Sequence, residues 1–174
     1  MQKTVQDACR TIDRKEMTMK DHAKQAGDLF QEGYNCAQSV FCAFCEETDL
    51  PVGEAARIAS SFGGGMGRLR EVCGAVSGAL LVLGMKKGYS APGDDEAKRE
   101  HYLRVQEFAR AFREKNGTII CRELLEDVEV SPGDIPEKRT KEFYERRPCL
   151  RLIRDAAQIA EEMLMEERDS NVDR

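Results

Sequence analysis

Apolar residues recur at helical spacing along this 174-residue chain, and no segment alternates apolar with polar residues as a half-buried strand does. In the last long segment, one side of a helix carries an apolar row: Leu152, Ile153, Ala156, Ile159, Ala160, Met163 and Leu164. Glycine, proline and asparagine separate such segments, so we expect about six helices, at 21–30, 36–47, 53–61, 72–87, 94–115 and 149–167. A further short element is expected at 119–127, and the charged residues 137–147 are compatible with a helix. The pattern predicts an all-α fold, a compact multi-helix bundle without a significant sheet.

The length and the polar ends of the chain predict one domain with short flanking segments. A chain of 174 residues is sufficient for one hydrophobic core. Residues 1–20 are polar and are expected to form a tail or a frayed helix. We expect residues 21–168 to form the helical domain and residues 169–174 a disordered C-terminus.

The net charge and the N-terminal sequence restrict the compartment in which the protein is expected and the classes of partner that it is expected to bind. The formal net charge is −5 and nucleic-acid binding needs a basic face, so we expect no nucleic-acid partner. Basic pairs such as Arg146-Arg147 are interpreted as solvated helix ends. The N-terminus has no apolar signal region, and the longest apolar stretch, 75–83, is too short to span a bilayer. We therefore expect a cytoplasmic protein without membrane insertion, and its apolar helices are compatible with a homodimer.

Four of the seven cysteines stand where predicted helices begin. Each follows a turn, a glycine-rich loop, a helix stop or a proline, and the four are Cys36, Cys73, Cys121 and Cys149. A helix N-terminus presents unpaired N–H groups and a partial positive charge, which stabilise a thiolate over a thiol. In a reducing compartment, seven cysteines predict metal ligands, redox thiols or buried fillers rather than a disulfide scaffold.

The other three cysteines are interpreted as small apolar fillers of the core. Cys42 and Cys45 form a Cys-x-x-Cys pair, but they fall in the middle of a predicted helix rather than at its start. Glu46 follows this pair where c-type haem attachment requires histidine, so we expect no haem. Cys9 lies in the polar N-terminal segment.

The segment Phe-Gly-Gly-Gly-Met-Gly-Arg at 62–68 has four glycines in five positions. Such a loop either adopts backbone angles closed to other residues or lets another group approach its backbone closely. A turn that permits close helix packing is the favoured interpretation, and an anion site assisted by Arg68 and Arg70 is the alternative. The glycines of that alternative site are Gly63, Gly64, Gly65 and Gly74.

The segments around the four cysteines resemble a family of redox-active proteins named for four cysteines and a Cys-Gly-Ala-x-x-Gly motif. The matching segments are GYNCAQSVFCAF (33–44), SFGGGMGR (61–68), CGAVSGALLVLG (73–84), CRELL (121–125) and Cys149, within a resemblance over about 26–160. The resemblance implies a helical, cytoplasmic protein of bacterial or archaeal type. Its defining residues are then Cys36, Cys73, Cys121 and Cys149, with Gly74, Ala75 and Gly78 completing the motif.

Three hypotheses about function follow, and the sequence does not decide whether the chain is an enzyme. The first is a metal site formed by the thiolates of Cys36, Cys73, Cys121 and Cys149. An iron–sulfur cluster is favoured over zinc because the paired cysteine spacing of common zinc motifs is missing.

The second hypothesis is metal-free thiol–disulfide exchange with an unidentified redox partner, in which Cys73 is the expected nucleophile. The third is a module that binds an anion or small ligand on the 62–68 loop.

Overall fold

The computed structural model describes the backbone of residues 21–172 and the side chains of residues 21–165. Within this range the chain forms nine α-helices and no strand, which confirms the all-α class there. The helices are α1 (His22–Gln31), α2 (Cys36–Ala43), α3 (Cys45–Thr48), α4 (Val52–Ala59), α5 (Gly74–Lys87), α6 (Asp95–Asn116), α7 (Cys121–Leu124), α8 (Lys141–Arg146) and α9 (Cys149–Val172). A further segment, Gly63–Met66, is a turn rather than a helix because two of its glycines have left-handed backbone angles.

The expected number of about six helices is too low for the described part of the chain. The additional helices are α3, which overlaps the end of the helix expected at 36–47, and α7 and α8, which lie within the short element expected at 119–127 and the charged segment 137–147. They have four, four and six residues. Segments this short contain too few apolar positions to show a helical period. The single helix expected at 36–47 divides at Phe44, whose φ of −104° and ψ of 20° leave the α-helical region.

Side-chain caps mark the N-termini of four helices, and the capping residues are Asp21, Asn35, Asp94 and Thr140. At the start of α2, Asn35 and Gln38 form a capping box. Asn35 Oδ1 accepts a hydrogen bond from the N–H of Gln38 (3.0 Å), and Gln38 Oε1 accepts one from the N–H of Asn35 (3.0 Å). This box fixes the backbone on both sides of Cys36.

Helices α1, α2, α5 and α9 enclose the core, with α6 packed against α5 and α9 and α4 packed against α2. The largest fully buried side chains are Phe30, Phe41, Phe44, Phe108, Phe112, Leu83, Leu152 and Ile153. Helix α5 lies close to α2 at Gly78, where a Cβ atom would be 2.6 Å from the carbonyl oxygen of Ala37. This glycine of the motif therefore permits close packing of the two helices that begin beside Cys36 and Cys73.

The division into a tail, a domain and a disordered end stays a prediction. Residues 1–20 and 173–174 lie outside the described residues, and α9 is described as far as Val172, past its expected end near 167. Among the residues that the structure describes, no helix has the length and apolar character needed to cross a membrane.

Candidate functional site

The four cysteines at predicted helix starts line one cavity of about 320 Å³. Cys36, Cys121 and Cys149 are the first residues of α2, α7 and α9. Cys73 is the residue immediately before α5, in the N-cap position. Four helix N-termini, from parts of the chain that are far apart in sequence, therefore meet at the same place.

Backbone pairing between the segments before α5 and α7 joins Cys73 to Cys121. The two segments form an isolated antiparallel β-bridge. In this pairing the N–H of Cys73 donates to the carbonyl of Ile119 (2.8 Å). The N–H of Cys121 donates to the carbonyl of Glu71 (2.6 Å). The two helix starts lie side by side because the segments exchange hydrogen bonds directly before each helix.

The glycine turn, Gly63–Met66, packs against Cys121. Gly64 and Gly65 have φ angles of 64° and 68°, in the left-handed region that favours glycine. A Cβ atom on Gly65 would lie 2.7 Å from the Cβ of Cys121 and 2.9 Å from the backbone nitrogen of Glu71. Only a residue without a side chain therefore lets the turn approach Cys121 this closely.

Gly74 and Gly63 permit a similar approach around Cys36. A Cβ atom on Gly74 would lie 3.1 Å from the Cβ of Cys36, and one on Gly63 would lie 2.5 Å from Cγ of Asn35. The four glycines that the sequence singled out all line the cavity, namely Gly63, Gly64, Gly65 and Gly74. Their close contacts with protein atoms agree with a turn that permits tight packing, and anion binding by their amides stays a prediction.

Cys36 and Cys149 form a hydrogen-bonded thiol pair at the cavity. The hydrogen bond from Cys36 lowers the pKa of Cys149 to about 7; burial opposes this, and the positive charges of Arg147 and Arg139 add to it. The same hydrogen bond, together with burial, raises the pKa of Cys36 well above its ordinary value. Both cysteines are free of disulfide bonds in the structure. At neutral pH the pair therefore consists of a partly ionised Cys149 and a protonated Cys36.

Cys73 and Cys121 have a different electrostatic environment. Burial raises the pKa of Cys73 to about 12, although its sulfur accepts hydrogen bonds from the backbone N–H groups of Ala75 and Val76. Burial also raises the pKa of Cys121, against a hydrogen bond and a positive charge from Arg70. Both residues are therefore neutral thiols at physiological pH.

Four arginines surround the cysteines in the cavity lining: Arg68, Arg70, Arg139 and Arg147. Arg147 is only 9% exposed, and its Nη2 donates a 2.5 Å hydrogen bond to Oε1 of Glu137. The interpretation of Arg146-Arg147 as a solvated helix end is therefore wrong for Arg147. Helix α8 ends at Arg146, the chain becomes extended at the next residue, and that residue's side chain enters the protein.

Arg139 is held at the cavity by aromatic rings. Its guanidinium lies 4.5 Å from the ring centre of Phe30 and 4.8 Å from that of Phe143. Its Nη2 also donates a hydrogen bond to the carbonyl of Tyr34 (3.2 Å). Sequence reasoning missed Arg139, Arg147 and Glu137, because this charged segment carries no motif and reaches the cysteines only through tertiary packing.

The Cys42–Cys45 pair is buried in the core, and its two thiols are hydrogen-bonded to each other. The Sγ atom of Cys42 also lies 3.8 Å from the carbonyl oxygen of Val52. Their burial agrees with the expected role as apolar fillers. Cys9 lies outside the described residues.

No group of three or more His, Cys, Asp or Glu side chains is arranged to hold a metal ion in the part of the chain that the structure describes. The four cavity cysteines are not among such groups, although they line one cavity. Binding of a metal or an iron–sulfur cluster stays a proposal.

A family model described as "Putative redox-active protein (C_GCAxxG_C_C)" matches residues 34–163, a range that contains all four cavity cysteines and the glycine turn. No curated protein and no solved structure matches the chain significantly. The matched range covers well over half of the 174 residues. The chain therefore belongs to this redox-active protein family.

Proposed function

We propose that the cavity is a thiol–disulfide redox centre, in which Cys149 is the reactive thiolate and Cys36 is its resolving partner. The observation that carries the proposal is that Cys36 and Cys149 stand together in one cavity lined by arginines, where each thiol shifts the pKa of the other. A thiol whose pKa lies near the ambient pH is the most effective nucleophile for exchange, and the pKa of Cys149 is lowered to about 7. Membership of a redox-active family supports a function based on these cysteines.

The exchange takes place in two steps. The Cys149 thiolate attacks one sulfur of a substrate disulfide, forms a mixed disulfide with it and releases the other sulfur as a thiolate. Cys36 then gives up its proton, and its sulfur attacks Cys149 and displaces the second substrate sulfur. The released sulfurs take up one proton from Cys36 and one from solvent. Two electrons pass from the protein to the substrate, which leaves a Cys36–Cys149 disulfide and two substrate thiols.

Cys149 replaces Cys73, the residue that the sequence favoured, as the nucleophile in this proposal. Burial raises the pKa of Cys73 to about 12, so very little of it is thiolate at neutral pH. Cys149 stands at the first position of the long helix α9, with the guanidinium groups of Arg147 and Arg139 nearby. Both the helix start and the positive charges favour its ionised form.

Alkylation kinetics test the proposal. The reduced full chain is treated with iodoacetamide over a range of pH around neutrality, and mass spectrometry follows the modification of each cysteine. We expect Cys149 to react fastest, with a half-maximal rate near its pKa of about 7. Mild oxidation should produce a Cys36–Cys149 disulfide in the peptide map.

Two variants make the result specific. Cys149→Ser should remove the fast-reacting thiol and the disulfide, whereas Cys42→Ala, in the core, should keep both. If a different cysteine reacts fastest in the unmodified chain, or if oxidation joins a different pair, the proposal is wrong.

A second candidate is a metal site with thiolate ligands, and it is favoured by the fact that all four cysteines line one cavity. Cysteine thiolates are suitable ligands for an iron–sulfur cluster or zinc, although these four do not form a ready metal-holding group among the described residues. Elemental analysis of anaerobically purified protein for iron, zinc and acid-labile sulfide distinguishes the candidates. Near-stoichiometric metal that is lost in Cys73→Ser and Cys121→Ser would favour the metal site.

A further inference from the structure

The cavity around Cys149 is positively charged in a chain that is acidic overall. Its lining contains four arginines against two acidic residues, Asp134 and Glu137, which is a formal charge of +2. The whole chain has a net charge of −5. Positive charge concentrated in one concave site of an acidic protein attracts an anionic ligand.

One carboxylate is shared by three of these guanidinium groups. Glu137 Oε1 bonds to Arg147 (2.5 Å) and lies 3.9 Å from Nη1 of Arg68 and 4.0 Å from Nη2 of Arg70. The Nη2 atom of Arg70 is buried and has no hydrogen-bond partner among the described residues. That atom is closed off from solvent, but one carboxylate balances only one of the three positive charges, so a ligand carboxylate in the cavity would still find a cationic partner.

The size and depth of the cavity restrict which disulfides reach the sulfur. A volume of about 320 Å³ lies at the lower end of the range for small-molecule sites. Cys149 is only 9% exposed, so its sulfur is reached by a small molecule that enters the cavity rather than by a disulfide on the surface of a folded protein. The cavity lining also contains apolar side chains, those of Phe30, Phe143 and Leu152. They can pack against the methylene groups of such a molecule.

We propose that the oxidant of the Cys36–Cys149 pair is a low-molecular-weight disulfide that carries carboxylate groups. This proposal rests on the proposed function of the pair. A substrate carboxylate pairs with Arg68 and Arg70, and the substrate disulfide then lies against Cys149. Exchange converts this disulfide and the two protein thiols into two carboxylate-bearing thiols and the Cys36–Cys149 disulfide.

Three disulfides of similar length and different charge test the proposal. Dithiodipropionate carries two carboxylates, bis(hydroxyethyl) disulfide is uncharged, and cystamine carries two ammonium groups. Each is mixed with the reduced full chain at low ionic strength, and formation of the Cys36–Cys149 disulfide is timed by acid quenching and mass spectrometry. Each rate is divided by the rate of the same disulfide with mercaptoethanol, which removes differences in intrinsic reactivity.

We expect the normalised rate for dithiodipropionate to exceed that for the uncharged disulfide by about 10-fold, with cystamine slowest. Added salt should reduce the difference, because it screens the attraction between the arginines and the carboxylates.

Substitutions at Arg68 connect the preference to the cavity. Arg68→Gln should lower the ratio of the dithiodipropionate rate to the uncharged rate by about 3-fold or more. Arg68→Lys keeps the positive charge, so it should keep most of the ratio. It loses only the guanidinium hydrogen bonds to the carbonyls of Ser131 and Gly133. Arg99→Gln, an exposed residue on α6, is the control and should leave the ratio unchanged.

The outcomes separate this proposal from the function on which it rests. If the carboxylate disulfide has no rate advantage, or if Arg68→Gln leaves the ratio unchanged, the substrate class is wrong while the redox pair stands. If none of the three disulfides oxidises Cys36 and Cys149, the proposed function itself is wrong.

Discussion

The backbone N–H of Cys73 donates a 2.8 Å hydrogen bond to the carbonyl of Ile119, which joins the start of α5 to the segment that leads into α7. This contact brings Cys73 next to Cys121, although the two cysteines are far apart in the sequence. The cavity is therefore assembled by backbone hydrogen bonds between non-helical segments, which orient the helices that begin there.

Arg147 is expected to control the ionisation of Cys149. Replacing it by glutamine removes a positive charge that favours the thiolate, so Arg147→Gln should raise the pKa of Cys149 by about one unit. The pH dependence of iodoacetamide modification at Cys149 measures this shift. Arg146→Gln, at the exposed neighbouring position, is the matched control and should not shift the profile. Equal profiles for the two variants would contradict this role.

Buried thiols should make the protein less stable at alkaline pH. The pKa of Cys73 is raised to about 12 by burial, so between its ordinary value of 9.0 and this value the folded state binds more protons than the unfolded state. The free energy of unfolding therefore falls as pH rises through that range. Cys149 has the opposite sign, because its pKa is lowered to about 7 and its contribution makes stability rise from that pH to 9.0.

Urea unfolding at a series of alkaline pH values measures this dependence. We expect the slope above pH 9.0, the ordinary pKa of a thiol, to become shallower in Cys73→Ala, because one of the groups that binds excess protons is gone. An unchanged slope in this variant would mean that Cys73 is not a buried neutral thiol.

Gly65 is expected to tolerate no side chain. In Gly65→Ala the new Cβ atom would clash with the Cβ of Cys121 at 2.7 Å, and the residue would also be strained in its left-handed backbone conformation. Together these two effects should destabilise the protein by about 3 kcal/mol. Gly67→Ala, in the same loop at φ 61°, has its nearest atom at 3.9 Å and should cost only the strain, about 1 kcal/mol. Denaturant unfolding of the two variants gives the comparison, and equal losses would show that the contact with Cys121 is unimportant.

Two glycines of helix α5 should respond to alanine in opposite directions. At Gly78 a Cβ atom would meet the carbonyl oxygen of Ala37 at 2.6 Å, so Gly78→Ala should destabilise the protein by about 2 kcal/mol. At Gly84 nothing lies within 4 Å, so Gly84→Ala should stabilise it by about 1 kcal/mol through helix propensity. Thermal unfolding measures both changes. The same sign at both positions would disagree with close packing of α5 on α2.

His22 bonds two carboxylates from different helices. Its Nδ1 lies 2.7 Å from Glu161 and its Nε2 lies 3.1 Å from Glu47, while its ring stacks on Phe44 at 4.1 Å. Burial lowers the pKa of His22, but the hydrogen bonds to Glu47 and Glu161 outweigh burial, and the pKa is raised above 6.5. Its contribution to stability is therefore fully present below pH 6.5 and is lost as pH rises through the folded-state pKa.

His22→Phe, which retains an aromatic ring, tests this contribution. We expect a loss of about 2 kcal/mol in the free energy of unfolding at acidic pH and a smaller loss at alkaline pH. Urea unfolding of both proteins at the two pH values gives the difference. A loss that is independent of pH would mean that the imidazolium form has no special role.

The four cavity cysteines were recognisable from the sequence because each stands beside a local signal for the start of a helix. Asn35 precedes Cys36 as part of a capping box, and Pro148 precedes Cys149. The long helices were also predictable, since apolar periodicity repeats over several turns. The short helices were harder to define, because four to six residues show no period. Only a short element at 119–127 and a charged segment at 137–147 were recognisable there, and the break at Phe44 before α3 was not.

The sequence by itself determined the helical class, the glycine turn and the four positions at which cysteines meet helix starts, because these depend on residues a few places apart. The tertiary structure alone decided that Cys36 pairs with Cys149, and that Cys149 rather than Cys73 has the lowered pKa. It also placed Arg147 beside that pair. The pKa of a thiol depends on burial and on charges that reach it through space, and the spacing of residues along a chain contains neither.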